Sequence, residues 1–374
     1  RAARSKRRVA GAARFLERLE PEVLALQREL LADEWRPSRA VQFTIRDPKE
    51  RVITAAPFRD RVVHHALIDP LEPRLDAALV PQSFACRRGL GTQKALEHAR
   101  ELVRRHTHFL KLDIGKCFES IGHELVLATI EPLVVEPEVR ELCRRVLAGP
   151  EQELGRGLPI GNLTSQWFAN LVLGRIDRFV LDVLGAPGYV RYMDDFALFA
   201  DDKSWLRAAH SQVGEFVEGR LGLRLKERAT ILAPVSQGMP FLGWRVYRGV
   251  TRLRPENARR TRRRLKHRRW ELTIGRLDAD RYMDAVLSVL AHLDGGDTRA
   301  GRHHPDARAW RDGLLRTHFA SEHELGVGPK VPPTARTAAA ASTTLPRTRA
   351  RRTAITTRRR TRTTTSVSVP PRRR

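Results

Sequence analysis

The chain is poor in cysteine, in acids relative to bases, and in long apolar runs, and each scarcity excludes something. Cys86, Cys117 and Cys143 are the only cysteines, an odd number with no CxxC spacing. That excludes a disulfide framework and a zinc site, and fits a reducing, cytoplasmic setting. No apolar run approaches the ~18–20 residues of a membrane span, and no signal-peptide core follows the basic start. The first residue is not Met, which reads as a fragment. His64-His65 and His303-His304 invite a metal reading, but neighbours on a helix point in different directions, so they are not taken as ligands.

The shortage of acids is the informative one. Against 43 Asp and Glu stand 69 Lys and Arg, a net charge of +26 over 374 residues. Such a chain is long enough for a multi-lobed core and calls for a polyanionic partner, of which nucleic acid is the economical choice. Residues 329–374 hold thirteen of the bases and no acid, so the rest of the chain keeps half the excess, and duplex binding does not rest on the tail alone.

Pattern gives an α+β organisation. Leu16, Leu19, Leu24, Leu26 and Leu30 recur at helical spacing over residues 11–34, an amphipathic layer. Val41 to Ala55 reads as strand, turn at Arg46-Asp47-Pro48-Lys49, and strand. Residues 59–71 read as a helix closed by Pro70 and Pro73, and Thr92 as the cap of a helix reaching about Arg105. Residues 204–221 read as a further helix, Phe241 to Tyr247 as a late strand, and the stretch after Pro255 as an intensely basic helix from Arg259 to Arg269. The succession suits an antiparallel or mixed sheet with helices on one face.

Two places carry chemistry. Tyr189 to Tyr192 and Phe196 to Phe199 favour paired strands, which puts Asp194 and Asp195 at a hairpin tip. Adjacent carboxylates repel, so a fold either leaves them in a solvated turn or sets a divalent cation between them. Some eighty residues upstream the apolar strand Phe109 to Leu112 delivers Asp113 at its end. Asp113 serves equally as a helix N-cap, but with the pair it supplies the second half of a two-cation site for in-line phosphoryl transfer.

Four blocks in order resemble reverse transcriptases: Asp113 with Phe118 five positions on, Gly157-Leu158-Pro159-Ile160-Gly161-Asn162-Leu163-Thr164-Ser165-Gln166, Tyr192-Met193-Asp194-Asp195, and Phe241-Leu242-Gly243-Trp244. The set resembles in particular the enzymes of diversity-generating retroelements, which have an aliphatic residue before the Gly at 161 and Gln after Ser165. Most other reverse transcriptases place Gln before that Gly and Pro after that Ser, so Ile160 and Gln166 discriminate. The resemblance covers roughly residues 40–250 and implies a right-hand polymerase: an N-terminal helical layer (1–40), fingers (41–106), a palm (107–247), a basic helical thumb (248–325) and a disordered tail (326–374).

By that resemblance Asp113, Asp194 and Asp195 are catalytic and hold two Mg²⁺ ions, Mn²⁺ being an alternative, with the Ile114 carbonyl as a further ligand. Phe118 is the steric gate against ribose, or an ordinary core Phe. Lys49, Arg51 and Arg59 are the finger cations for the triphosphate, Arg59 having a structural alternative beside Asp60-Arg61. Ile160, Gly161, Ser165 and Gln166 border the nucleotide, and Lys226 protonates pyrophosphate or is plain surface charge. Leu242, Gly243 and Trp244 form the primer grip. The implied partners are an RNA template, a DNA or RNA primer, deoxynucleoside triphosphates and a small basic accessory protein, with no membrane, in a bacterial or phage-encoded cytoplasmic system. An aliphatic Ile160 in place of Gln removes a polar contact that would fix the incoming nucleotide, and shape alone discriminates weakly. The implied function is therefore RNA-directed DNA synthesis, error-prone at template adenine, for mutagenic retrohoming.

A retron, phage-defence or group II intron polymerase is the alternative; the Ser165-Gln166 ending and the lack of room for a maturase after the thumb speak against it. A catalytically inactive nucleic-acid-binding protein is the other, and it is expected to lose acids that are all present here. From Pro329 the chain is Thr, Arg, Ala and Pro, too apolar-poor to order a core. It reads as a basic arm for RNA, or as a shifted reading frame: moved by one nucleotide, residues 363–369 permit Asn-Asn-Asn-Val-Gly-Phe-Arg, like an adenine-rich template repeat.

Overall fold

The computed structural model describes residues 2–3, 10–46, 50–149 and 155–293. The expected tail, the outer part of the expected thumb, His303-His304 and Lys49 lie outside them. All described residues fall in one compact unit, Arg1–Leu314. No helix among them is long and apolar enough to cross a membrane.

The expected amino-terminal helix is two, α1 (Ala10–Glu17) and α2 (Leu19–Leu31). Pro21 explains the break, because in a continuous helix its ring would collide with the Glu17 carbonyl, whereas in the first turn of a new helix a missing N–H costs nothing. The hairpin β1 (Val41–Ile45) and β2 (Arg51–Ala55) pairs Val41 with Ala55 through Ile45 with Arg51. Helix α3 (Phe58–Ala77) does not end at its prolines but runs through both. Each proline there costs about 3 kcal/mol. Leu71, between them, and Leu75, beyond them, are buried, at roughly 2–3 kcal/mol apiece, and keep the chain helical against a later helix, α8. Helix α4 (Thr92–Arg105) is preceded by Gly91 at φ 115°, so Thr92 is its first residue and not its cap. The Thr92 hydroxyl donates instead to the Tyr192 hydroxyl, at 3.3 Å.

Strand β3 (His108–Asp113) follows, then α5 (Cys117–Ser120), α6 (His123–Ile130), α7 (Pro137–Leu147) and α8 (Leu163–Arg178). The hairpin β4 (Gly188–Tyr192) and β5 (Asp195–Ala200) leads into α9 (Lys203–Leu221), capped by Asp202, and β6 (Ile231–Pro234). The main sheet has the order β4-β5-β3-β6, and of the antiparallel or mixed sheet expected it is the antiparallel one, every strand pair being antiparallel. The helical crossover does return the chain in the direction of β3, but β5 inserts between β3 and β4. Helices lie on both faces, not one. Leu110, Leu112, Phe196 and Leu198 cluster with residues of α8 and α9. On the other face, a Cβ on Gly188 would come within 2.9 Å of Leu102 from α4 and 3.0 Å of Phe199.

The expected late strand is also a hairpin, β7 (Met239–Phe241) and β8 (Trp244–Val246), with β9 (Thr251–Leu253) alongside. Leu242 (φ 48°) and Gly243 (φ 88°) are both left-handed, which is what a two-residue turn matched to strand twist requires. Helices α10 (Pro255–Thr273) and α11 (Ala279–Leu293) complete the described chain.

His64 on α3 is buried without a hydrogen-bond partner for Nδ1. Burial, aided by the charges of His65 and Arg61, lowers its pKa from 6.5 to about 4. The unfolded chain therefore binds a proton that the folded chain refuses, and stability is lost as pH falls from 6.5 towards 4. His64→Met should escape that loss. Urea unfolding should show the wild type losing about 2 kcal/mol more than the variant between pH 7.5 and pH 5.

Candidate active site

The site is assembled by the register of β3 on β5. Leu110 faces Leu198 and Leu112 faces Phe196 on the core side, while Lys111 faces Ala197 and Asp113 faces Asp195 on the other. Directly opposed residues stand about 5 Å apart with side chains on one face, so the two carboxylates are immediate neighbours. The β4–β5 hairpin adds the third acid. Tyr192 pairs with Asp195, leaving Met193 and Asp194 as a two-residue loop, with Met193 left-handed at φ 54°. The Asp194 carbonyl accepts the Ile114 N–H at 3.2 Å, which ties the loop to the end of β3. Residues 82 positions apart are thereby brought to one sheet end.

Two lysines answer the acids. Lys111, two residues before Asp113 and therefore on its face, is buried and puts Nζ 2.6 Å from Asp195 Oδ1. Beyond that ion pair this oxygen has no hydrogen-bond donor. The Lys226 N–H donates to the Asp113 carbonyl at 2.8 Å, and its Nζ stands 3.7 Å from Asp113 Oδ1. Burial still raises the Asp195 pKa to about 6, with Lys111 opposing and the charges of Asp113 and Asp194 assisting. Asp194 is raised by burial and then by Asp113, against Arg51 and Lys226. Burial likewise pushes the Cys117 thiol up, so it is not a nucleophile.

The remaining candidates divide. Arg51 is exposed at the start of β2, and its charge reaches Asp194. Arg59 is instead engaged structurally: it grips Glu29 of α2 through two hydrogen bonds, at 2.9 and 2.6 Å, with Glu22 at 3.5 Å. Ile160 accepts the Thr54 N–H at 3.1 Å, and the Asn162 side chain accepts from Ala56, so the segment before α8 is laced to β2. A Cβ on Gly161 (φ 117°) would meet Ile53 at 3.2 Å. Ser165 is buried in α8. Gln166 Oε1 is 3.7 Å from the Cys86 thiol, itself 3.9 Å from the Met193 sulfur at the hairpin tip. Half-buried Phe118 accepts the Leu158 N–H through its carbonyl, at 2.6 Å. Leu242 and Gly243 make the β7–β8 turn, whose Gly243 carbonyl accepts from Arg254 and Asn257. Trp244 is wholly buried, so the part of this block left accessible is the Leu242-Gly243 turn.

Sequence reading missed Lys111, although period-two alternation from Asp113 was enough to place it. It also missed the buried Asn170, Asp177 and Arg191, for which no local signal exists. Among the described residues no three His, Cys, Asp or Glu side chains stand ready-grouped around a metal position. The donor set is nonetheless of the right kind: hard carboxylate oxygens, one of them buried with Lys111 as its partner.

Residues 46–246 match the family described as reverse transcriptase (RNA-dependent DNA polymerase). Protein YkfC of Escherichia coli (strain K12) is 22% identical over 284 residues, 63% of this chain and 74% of that one. The putative COX1/OXI3 intron 1 protein of Saccharomyces cerevisiae is 24% identical over 157 residues, 40% of this chain and 19% of its own length. Among solved structures, telomerase from Candida albicans with a fragment of telomeric RNA is 11% identical, with TM-score 0.48 over 78% of this chain and 64% of that one. Apo telomerase from Candida tropicalis gives 11% and 0.46, over 57% and 47%. The chain thus spans about half of that telomerase and a fifth of the yeast intron protein.

The contrast between the two arginines is measurable by urea unfolding. Arg59→Ala should cost about 1 kcal/mol, a value already reduced for partial exposure, and Arg51→Ala less than about 0.5 kcal/mol.

Proposed function

The chain belongs to the reverse transcriptase (RNA-dependent DNA polymerase) family, and from that premise we propose that it copies an RNA template into DNA at Asp113, Asp194 and Asp195. The observation that carries the reading is the direct opposition of Asp113 and Asp195 with the Asp194 carbonyl bonded to Ile114. The three acids and the Ile114 carbonyl would hold two Mg²⁺ ions, or Mn²⁺ in their place, which when bound stabilise the attacking and leaving oxygens of phosphoryl transfer.

The chain's own groups do the rest. Arg51, exposed and facing Asp194 electrostatically, takes triphosphate oxygens. Lys226 stands at Asp113 with Nζ placed to donate a proton to departing pyrophosphate. Phe118 bounds the sugar and selects deoxyribose by shape. Ile160 and Gly161, held under β2, with Ser165 and Gln166 of α8, border the base. The β7–β8 turn presents backbone to the primer end. The thirteen bases beyond residue 328 and the face of α10 supply sequence-independent attraction to the phosphate backbone.

The finer reading is a polymerase of a diversity-generating retroelement, working with a small basic accessory protein and error-prone at template adenine. Ile160 and Gln166 support it. A group II intron-type polymerase is the second reading, favoured by the similarity to the yeast intron protein.

Asp194→Asn should abolish primer extension on RNA while leaving RNA affinity within about two-fold, since basic surfaces carry binding. Extension that survives the change removes these acids from the chemistry. Arg51→Ala should raise the nucleotide KM about ten-fold. Sequencing of cDNA from a defined RNA should place errors at template adenines, with Ile160→Gln reducing them. Errors spread evenly over four bases would exclude the retroelement reading and leave the polymerase standing.

A further inference from the structure

Behind the catalytic turn lies a charged pair that takes no direct part in this chemistry. Arg191 and Asp177 have fully buried side chains. Arg191 Nε donates to Asp177 Oδ1 and Nη2 to Oδ2, both at 2.6 Å, a two-pronged grip. Nη1 donates to Asn170 Oδ1 at 2.7 Å and to the Met193 carbonyl at 3.2 Å, and Nη2 also reaches the Asn170 carbonyl at 3.3 Å. All five guanidinium donors are thus used. The Tyr189 hydroxyl donates to Asp177 at 2.7 Å, and the Asn170 amide to the Ala85 carbonyl at 2.9 Å. The backbone of Arg191 joins in, donating to Gln82 at 2.9 Å and accepting from Phe84 at 3.1 Å.

We propose that Arg191 is a positioning residue: anchored by Asp177 and Asn170 of α8, it holds the Met193 carbonyl and so sets where Asp194 and Asp195 stand relative to that helix. The inference rests on the polymerase reading above. Three observations carry it. Met193 is left-handed, a conformation that a non-glycine residue holds only when its surroundings impose it, and the Arg191 guanidinium grips its carbonyl. Arg191 lies on the strand face opposite Asp195, so it acts on the turn from behind and leaves the acid side open. Gln166, Asn170 and Asp177 follow at spacings of four and seven along α8, one helix face. That face therefore carries both the Gln beside the turn and the anchors of Arg191, and fixing the turn to α8 fixes the acids against the nucleotide border.

Stability alone does not explain the pair. Apolar residues of similar volume commonly replace a buried ion pair with no loss of stability, whereas removing one partner is severe. The test exploits that difference in the full chain, by thermal unfolding, RNA binding and steady-state primer extension. Asp177→Leu combined with Arg191→Met should restore Tm to the wild-type value or above, yet leave kcat down about 10- to 100-fold with nucleotide KM within about two-fold. Arg191→Lys keeps a charge opposite Asp177 but cannot serve Met193 as well, and should show the same loss of kcat. Recovery of both Tm and kcat in the double variant, or full kcat in Arg191→Lys, would overturn the proposal. If the double variant does not fold, the lysine variant decides. A wild-type chain that extends no primer on RNA would overturn the polymerase reading and this one with it, an outcome distinct from an active wild type indifferent to both changes.

Discussion

The site depends on two like charges being forced to face each other. Asp113 and Asp195 are direct cross-strand neighbours, and unit charges ~5 Å apart at an effective dielectric of 20 repel by about 3 kcal/mol. A one-residue slip of β3 would separate them, but it would also turn Leu110 and Leu112 out of the core they share with Phe196 and Leu198. Those two side chains, at roughly 2 kcal/mol each, outweigh the repulsion, so the hydrophobic face holds the polar one in register. Lys111 and Lys226 stand beside the acids and reduce what is left, while burial first, and the neighbouring acids second, keep the Asp195 pKa raised.

That residual strain is also functional. An anionic sheet end is poised for cations, and the chain sets lysine charge beside it, Lys111 at Asp195 and Lys226 at Asp113. The β1–β2 hairpin approaches from one side, stitched by its backbone to Ile160 and Asn162, and brings Arg51. The core beneath contributes Arg191, which reaches the turn through Met193. The acids thus sit between a cationic side and a buried, fully hydrogen-bonded arginine.

Much of this was legible in local pattern. Strand alternation into Asp113, the hairpin at Asp194-Asp195 and the basic helix after Pro255 are where pattern puts them. Pro21 broke a helix that its leucines continue, while Pro70 and Pro73 failed to end one because buried leucines lie between and beyond them. Thr92 has a capping residue's identity, but Gly91, at a positive φ, takes the cap position and the hydroxyl finds Tyr192. At Pro21 the local penalty won, whereas at α3 and α4 a tertiary contact outweighed the local preference.

From the residues alone came the three acids, the order of the blocks, the excess of positive charge and the alternation that puts one face of β3 inward. Those are short-range properties, set within a strand or a turn. Which cations face the acids was decided only by the tertiary structure: it gave Arg59 to the glutamates of α2, brought Arg51 and Lys226 to the site, and sank Arg191 behind it. The reason is physical. A long charged side chain takes whichever partner lies within reach after the strands and helices have packed, and apolar burial elsewhere in the molecule fixes that packing.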